Sequence, residues 1–253
     1  MTVVESIKKG FSVAAQSLDL VLVLFVFGAG WNVMNLLLSQ RFQNPDVAQS
    51  VMLIALALIF ILVSVYMQAG SMGYVRDRVK AGQASLGSFA SAGGHFYLRF
   101  LAVGAVVAVT AGIFVLIAAL VMGFLGQSLP VVAIPIAVVA FLAGLYFIIM
   151  MFLAPYIVVC KEEKAIPAIK QSMDFVKRNI LPILGLALIL TAAGFVLGVA
   201  LGALFALITL VVQGTISQIL FATLSSAVNA FLGVVVSGAF MAFYLGRSQG
   251  SAS

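Results

Sequence analysis

No charged side chain interrupts residues 100–160, which read FLAVGAVVAVTAGIFVLIAALVMGFLGQSLPVVAIPIAVVAFLAGLYFIIMMFLAPYIVVC. As one helix rising 1.5 Å per residue this segment would measure roughly 90 Å, far more than the bilayer core of about 30 Å. The segment must therefore cross twice. Residues 126–130 (GQSLP) have the composition of the turn between the two crossings. This stretch predicts a transmembrane hairpin.

Three other uncharged segments extend the pattern. Residues 20–40 and 47–75 are each long enough for one crossing, which needs about 20 residues. Residues 179–246 are long enough for two, with a turn at 213–217 (QGTIS). The sequence therefore predicts six spans, near 20–40, 49–72, 100–125, 131–157, 181–212 and 217–244.

The composition agrees with lipid as the solvent. Of the 253 residues, 64% are hydrophobic and 8% are charged, and the mean hydropathy is +1.26. Soluble domains carry about 25% charged residues, so a water-soluble chain of this size could not cover its surface. We expect an all-α integral membrane protein forming a single transmembrane domain over residues 1–253.

The basic residues predict the orientation. Six spans place both termini on one side, together with residues 73–99 and 158–180. That side holds twelve of the Lys and Arg residues, and the other side holds only Arg41. Since cytoplasmic loops carry the excess of positive charge, we expect both termini in the cytoplasm of a bacterial inner membrane. The charges follow this topology, so no nucleic-acid partner is expected.

The segments before spans one, three and five share an amphipathic pattern. Val4, Ile7 and Phe11 mark an apolar face in the first. Ile169, Met173, Val176 and Ile180 do so in the third, and residues 86–97 are a weaker copy interrupted by Gly93-Gly94. Such faces indicate helices lying in the membrane interface. We interpret the chain as three hairpins, each preceded by a cytoplasmic interfacial helix, in repeat units of about 1–77, 78–160 and 161–253.

Two rows of side chains are candidates for helix packing or for lining a pore. Span five carries small residues four apart at Gly194, Gly198 and Gly202, which allow another helix to approach closely. Packing within the monomer and a homo-oligomer interface are both open. Span six carries a polar stripe, which packs against another helix or lines a hydrated route; its members are Gln218, Ser225, Ser226, Asn229 and Ser237.

The sequence contains no recognisable catalytic, cofactor or metal motif. No Asp, Glu, Lys, Arg or His falls in the middle of a span, where such residues usually mark ion or proton pathways. The single histidine, His95, has no evident nucleophile beside it. We therefore expect a protein that is not an enzyme and that needs no cofactor or metal.

Basic clusters in the cytoplasmic loops provide the one positive chemical signal. Each basic residue near an anionic leaflet can contribute about 1 kcal/mol of attraction. The candidate contacts to lipid headgroups are Arg76, Arg78, Lys80, Lys161, Lys164, Lys170, Lys177 and Arg178. Ordinary positive-inside bias explains the same residues without a specific site, so both interpretations stay open.

Residues 154–159 (APYIVV), followed by a charged turn and residues 168–172 (AIKQS), resemble a broad group of bacterial membrane proteins. The group comprises YciC-like proteins and the membrane domain of some glycerophosphodiester phosphodiesterases. Residues 70–98 are similar to the equivalent loop of that group. The resemblance implies six spans and a proline near the end of span four, and it assigns no catalytic residues.

The first functional hypothesis is a non-catalytic membrane protein that interacts with lipids, including anionic lipids, or organises the membrane. One alternative is a channel or transporter for a small solute, with the stripe of span six lining the route. Another is a membrane accessory subunit of an enzyme complex. The sequence does not choose among the three.

Overall fold

The computed structural model describes residues 1–42, 46–126, 128–212 and 214–249. Gln127 and Gln213, in the two predicted turns, lie outside these residues. Within the described ranges the chain is helical apart from the ends and the short connections between helices, and it has no strand. The helices are α1 (Val3–Ala15), α2 (Leu18–Arg41), α3 (Val47–Ala81), α4 (Leu86–Leu125), α5 (Pro130–Met151), α6 (Ala154–Lys161), α7 (Ala165–Arg178), α8 (Ile180–Val211) and α9 (Thr215–Gln249).

Six helical stretches are long and apolar enough to cross a membrane, which confirms the predicted number of candidate spans. They are Leu18–Arg41, Val47–Ala81, Leu86–Leu125, Pro130–Lys161, Ile180–Leu210 and Thr215–Ser248. These stretches expose large apolar side chains, among them Leu58, Phe141 and Leu188. Apolar surface of this extent is expected where lipid surrounds the helices. The chain is a multi-pass membrane protein.

The described helices form two compact units. The first unit comprises residues 1–95 and the chain from Leu181 onward, and the second comprises residues 96–180. The first unit brings together segments that are distant in sequence, whereas the second unit is one continuous segment. The first unit holds α1, α2, α3, α9 and α8 from Leu181, and the second holds α5, α6 and α7.

In the first unit, α1 lies against α9 through small residues. A Cβ atom added at Gly10 would stand 2.9 Å from the Cβ atom of Ala239, and one at Gly238 would stand 3.1 Å from the Cα atom of Gly10. A side chain at either position would force the two helices to move apart, so the small residues permit their close approach. On the predicted apolar face of α1, Val4 and Phe11 stay exposed, although the ring of Phe11 lies 6.4 Å from that of Phe231 on α9.

The N-terminus of α1 is closed by a capping box. The hydroxyl oxygen of Thr2 accepts a hydrogen bond from the backbone N–H of Glu5 at 3.3 Å. The carboxylate of Glu5 accepts one from the backbone N–H of Thr2 at 2.8 Å. The hydrogen bond from the backbone N–H of Thr2 is the main reason why the pKa of Glu5 lies below its ordinary value of 4.5. Hydrogen bonding with the side chain of Thr2 lowers this pKa further.

Aromatic stacking and amide hydrogen bonds join α2 to α3 and α9. The ring of Trp31 stacks on that of Phe60 with centroids 3.6 Å apart. The amide of Asn32 donates to the hydroxyl of Ser226 at 2.8 Å, and that of Gln40 donates to Gln218 at 3.1 Å. In lipid, close packing and interhelical hydrogen bonds of this kind stabilise helix pairs.

The segment before span three differs from its prediction. Residues 86–97 do not form a separate interfacial helix, because α4 runs without a break from Leu86 to Leu125, through Gly93-Gly94. Gly93 is needed for close packing: a Cβ atom there would stand 2.8 Å from the ring of Tyr66. Two of the three expected interfacial segments, α1 and α7, are separate helices, and the threefold repeat stays a prediction.

In the second unit, the interruption between α5 and α6 coincides with Pro155. A proline lacks the N–H that would continue the helical bonding and clashes with the preceding turn. The hydroxyl of Ser172, on α7, donates to the carbonyl oxygen of Met150 at 2.7 Å in a buried position. Ala168 is also fully buried on α7. The proline and the Ala-x-x-x-Ser pattern noted in the sequence thus belong to one packing arrangement.

Candidate functional site

The outer face of α7 carries a cluster of exposed basic side chains in the second unit. Lys170, Lys177 and Arg178 are exposed, while Ile169 and Val176 are buried on the opposite face. Among the described residues these three basic groups have no hydrogen bond or ion pair. We call these three residues, with the exposed Lys164 at the helix start, the α7 basic surface.

A bridge of polar side chains fixes the start of α7. The ammonium group of Lys161 donates to the side-chain oxygen of Gln171 at 2.8 Å. The side-chain nitrogen of Gln171 donates in turn to Glu163 at 3.2 Å. Lys161 therefore contacts a protein acceptor, which separates it from the α7 basic surface although the sequence places it in the same cluster.

In the first unit, the three basic residues predicted as one cluster at residues 76–80 have different surroundings. The guanidinium of Arg78 donates to the carbonyl oxygen of Gln16 at 2.6 Å and to the hydroxyl of Tyr74 at 3.2 Å. The same hydroxyl donates to the carboxylate of Asp19 at 2.6 Å. Arg78 therefore joins α3 to the segment between α1 and α2, and most of its hydrogen-bonding capacity is used within the protein.

Arg76 and Lys80, the other two basic residues of this cluster, do not join α3 to that segment. The guanidinium of Arg76 pairs with the adjacent carboxylate of Asp77 at 2.8 Å. Lys80 lines a cavity of about 610 Å³ together with Lys9. Residues of α1, α3 and α9 line this open pocket, with Val79, Ala242 and Leu245 on its apolar side.

A second cavity of the first unit, of about 570 Å³, lies between α2, α3 and α9; we call it the polar cleft. Uncharged polar and apolar side chains line it, without a charged one. The polar members are Ser64, Gln68, Ser71, Asn229 and Ser237, and the apolar members include Leu24, Phe27, Met67, Met72, Leu232 and Val236.

Most of the polar groups in the cleft have no partner among the described residues. The hydroxyl oxygen of Ser64 is buried without a hydrogen bond. Gln68, Asn229 and Ser237 also make none with the part of the chain that the structure describes, whereas the hydroxyl of Ser71 donates to its own helix. A buried hydroxyl without a hydrogen bond costs about 1–3 kcal/mol in proteins and more in hydrocarbon, and this cost applies to Ser64. The amides of Gln68 and Asn229 are exposed, so they can reach an occupant of the cleft that forms hydrogen bonds.

A family profile described as a domain of unknown function, DUF7847, matches residues 1–246. The chain belongs to the DUF7847 family. No curated protein and no solved structure matches it. The DUF7847 match does not show the YciC-like or phosphodiesterase-associated group, so that resemblance stays a hypothesis.

The polar stripe of this DUF7847 chain divides along α9. Gln218 and Ser226 bond to α2, and Ser225 donates to the carbonyl oxygen of Ala222 on its own helix. Asn229 and Ser237 instead line the cleft. The stripe is thus part packing seam and part cavity wall, and the hydrated route through it stays a prediction.

The glycine row on α8 has little close packing within the first unit. A Cβ atom at Gly194 would stand 4.0 Å from the side chain of Leu232, and one at Gly198 or Gly202 would meet no described atom within 4 Å. The close helix contacts of the DUF7847 chain are instead made at positions such as Gly10 and Gly238.

Sequence reasoning missed the α3 side of the polar cleft. Ser64, Gln68 and Ser71 follow a spacing of four and three, which places them on one face of α3. That spacing was a usable signal in a span otherwise rich in leucine and isoleucine. Among the described residues, no group of three or more His, Cys, Asp or Glu could hold a metal ion.

Proposed function

We propose that this protein is a non-catalytic component of the cytoplasmic membrane that binds anionic lipid headgroups through the α7 basic surface. The proposal includes the orientation expected from the sequence, with both termini and α7 at the cytoplasmic side. The observation that carries it is the exposure of Lys170, Lys177 and Arg178 on the side of α7 opposite its buried face.

Packing supports a fixed presentation of these charges. The buried side of α7 rests on α5 and α6, and the hydrogen bond from Ser172 to Met150 holds it there. Basic side chains on a positioned helix lose less conformational freedom on binding than those on a flexible loop. The acidic residue on the same helix, Asp174, is exposed and reduces the positive charge without cancelling it.

Electrostatics sets the size of the expected effect. At about 1 kcal/mol for each basic residue near an anionic surface, three residues supply about 3 kcal/mol, or roughly a hundredfold in affinity. Because the residues are exposed, salt should screen the attraction over a Debye length of about 8 Å at physiological ionic strength.

The experiment is a triple charge reversal, Lys170→Glu, Lys177→Glu and Arg178→Glu, in nanodiscs that contain phosphatidylcholine and phosphatidylglycerol. Native mass spectrometry of the released protein should show strong loss of bound phosphatidylglycerol, with little change in bound phosphatidylcholine. The matched control is Arg41→Glu, which changes the one basic residue expected on the opposite side. Equal retention of phosphatidylglycerol by the triple variant and the unaltered protein would refute the proposal.

A transport function is the second candidate, because Asn229 and Ser237 line a cavity rather than a helix contact. The hydrogen bond between Asn32 and Ser226 and the stack of Trp31 on Phe60 lie on the α2, α3 and α9 segments beyond the cleft. These contacts favour a cleft that ends within the helices. Solute flux into proteoliposomes that depends on Asn229 would instead favour transport.

A further inference from the structure

We propose that the polar cleft binds an uncharged lipid bearing hydroxyl or ester groups, of the diacylglycerol class. This inference is independent of the α7 basic surface, which belongs to the second unit and would bind charged headgroups. The polar cleft belongs to the first unit and has no charged side chain in its lining.

The chemistry of the lining selects an uncharged ligand. An ion would lose its hydration in the cleft and would meet no opposite charge in return. The carboxamides and hydroxyls that line the cleft can form hydrogen bonds with neutral groups of a ligand, such as a free hydroxyl or an ester carbonyl. The amides of Gln68 and Asn229 and the hydroxyl of Ser64 make no hydrogen bond with the described residues, so their hydrogen-bonding capacity is open to a ligand.

The length of the cleft along the helix axes fits a molecule that lies parallel to the helices. Ser64 and Ser71 are separated by about 10 Å along α3, and Asn229 and Ser237 by about 12 Å along α9, at 1.5 Å per residue. Hydrogen-bonding groups thus continue over several ångströms, alternating with Phe27, Met67 and other apolar side chains. A polar head with an attached hydrocarbon chain matches this mixture better than a compact polar solute does.

The direction of access favours a lipid over a dissolved solute. Toward one end, α2 and α3 are joined by the bond between Tyr74 and Asp19. Toward the other end, α2 is joined to α9 by the bond between Asn32 and Ser226. The side chains of Gln68 and Asn229 are exposed at the side of the bundle. A ligand would therefore enter laterally, from the bilayer.

The experiment uses a photoactivatable diacylglycerol in phosphatidylcholine nanodiscs that contain the full chain, with labelled peptides identified by mass spectrometry. Gly233→Leu should block the cleft, because Gly233 lines it and a Cβ atom there meets nothing within 4 Å. Gly30→Leu is the matched control, since Gly30 has equally open surroundings on α2 outside the cleft. We expect labelling of α3 and α9 to fall about tenfold in Gly233→Leu and to stay unchanged in Gly30→Leu.

A second pair of variants tests the hydrogen bonds to the ligand separately from the free volume of the cleft. The double variant Gln68→Leu and Asn229→Leu keeps the volume and removes both amides, and labelling should fall by about tenfold again. Asn35→Leu removes an exposed amide of α2 that does not line the cleft. Labelling that persists in both cleft variants, or equal labelling by a photoactivatable phosphatidylglycerol, would overturn the proposal. Fluorescence of the single tryptophan, Trp31, checks that each variant is folded.

Discussion

The crossing of α1 and α9 provides the sharpest test of the fold, through the substitution Gly10→Ala. The new methyl group would stand 2.9 Å from the Cβ atom of Ala239 and would also press on the carbonyl oxygen of Val235. Carbon atoms in contact normally lie about 3.5–4.0 Å apart, so α1 must move away by about 0.6–1 Å. Overpacking of this kind costs about 1–3 kcal/mol.

A partial gain opposes this cost. Alanine stabilises a helix interior by up to about 1 kcal/mol relative to glycine. With the full gain, the net loss expected for Gly10→Ala is up to about 2 kcal/mol, and Gly10→Ala should be about 1–3 kcal/mol less stable than a glycine-to-alanine change in open surroundings. Gly30→Ala is the control, because a Cβ atom at Gly30 meets nothing within 4 Å and should give only the helix-forming gain.

Trp31 provides the assay, since it is the single tryptophan and it stacks on Phe60 within the first unit. Its fluorescence should follow unfolding of that unit during titration of mixed micelles with a denaturing detergent. We expect the midpoint to fall for Gly10→Ala and to stay level or rise for Gly30→Ala. If Gly10→Ala proves as stable as Gly30→Ala, the close crossing of α1 and α9 is refuted.

Three further predictions concern hydrogen bonds. Ser172→Ala should lower the free energy of unfolding by about 1–3 kcal/mol, because the buried carbonyl oxygen of Met150 on α5 loses the hydroxyl that donates to it. Thermal unfolding measures this loss, and Thr110→Ala is the control. Tyr74→Phe should make the start of α2 more accessible to hydrogen exchange, because it removes the donor to Asp19; unchanged protection would contradict the role of this bond. Since hydrogen bonding to Thr2 lowers the pKa of Glu5, the carboxylate stabilises α1 at neutral pH, and this contribution is lost as the pH falls through and below 4.5. Proteolysis of the N-terminal segment should accelerate over that range, and Glu5→Gln should abolish the pH dependence.

The spans were predictable because hydrocarbon imposes a strong constraint on composition. The absence of charge over residues 100–160 and 179–246 was enough to require a reversal in each, and the helices α4, α5, α8 and α9 follow. The continuity of α4 was not predictable in the same way. Gly93-Gly94 indicates a weak point in an isolated helix, whereas in the fold Gly93 admits the ring of Tyr66.

The candidate sites were less predictable because they depend on which helices meet. The exposure of Lys170 and Lys177 follows from the helical period of α7. The use of Arg78 within the protein could not be predicted, since its acceptor, the carbonyl oxygen of Gln16, lies on a distant segment. The glycine row on α8 had the expected spacing, but spacing alone does not identify the helix that approaches it.

The contact between α1 and α9 also constrains the order of events during synthesis. Gly10 and Gly238 are more than two hundred residues apart, and at roughly 5–20 residues per second a ribosome needs on the order of ten seconds or more to bridge that interval. Until α9 emerges, the small residues of α1 must rest against lipid or the insertion machinery. The nascent chain therefore completes its first unit only when α9 is translated.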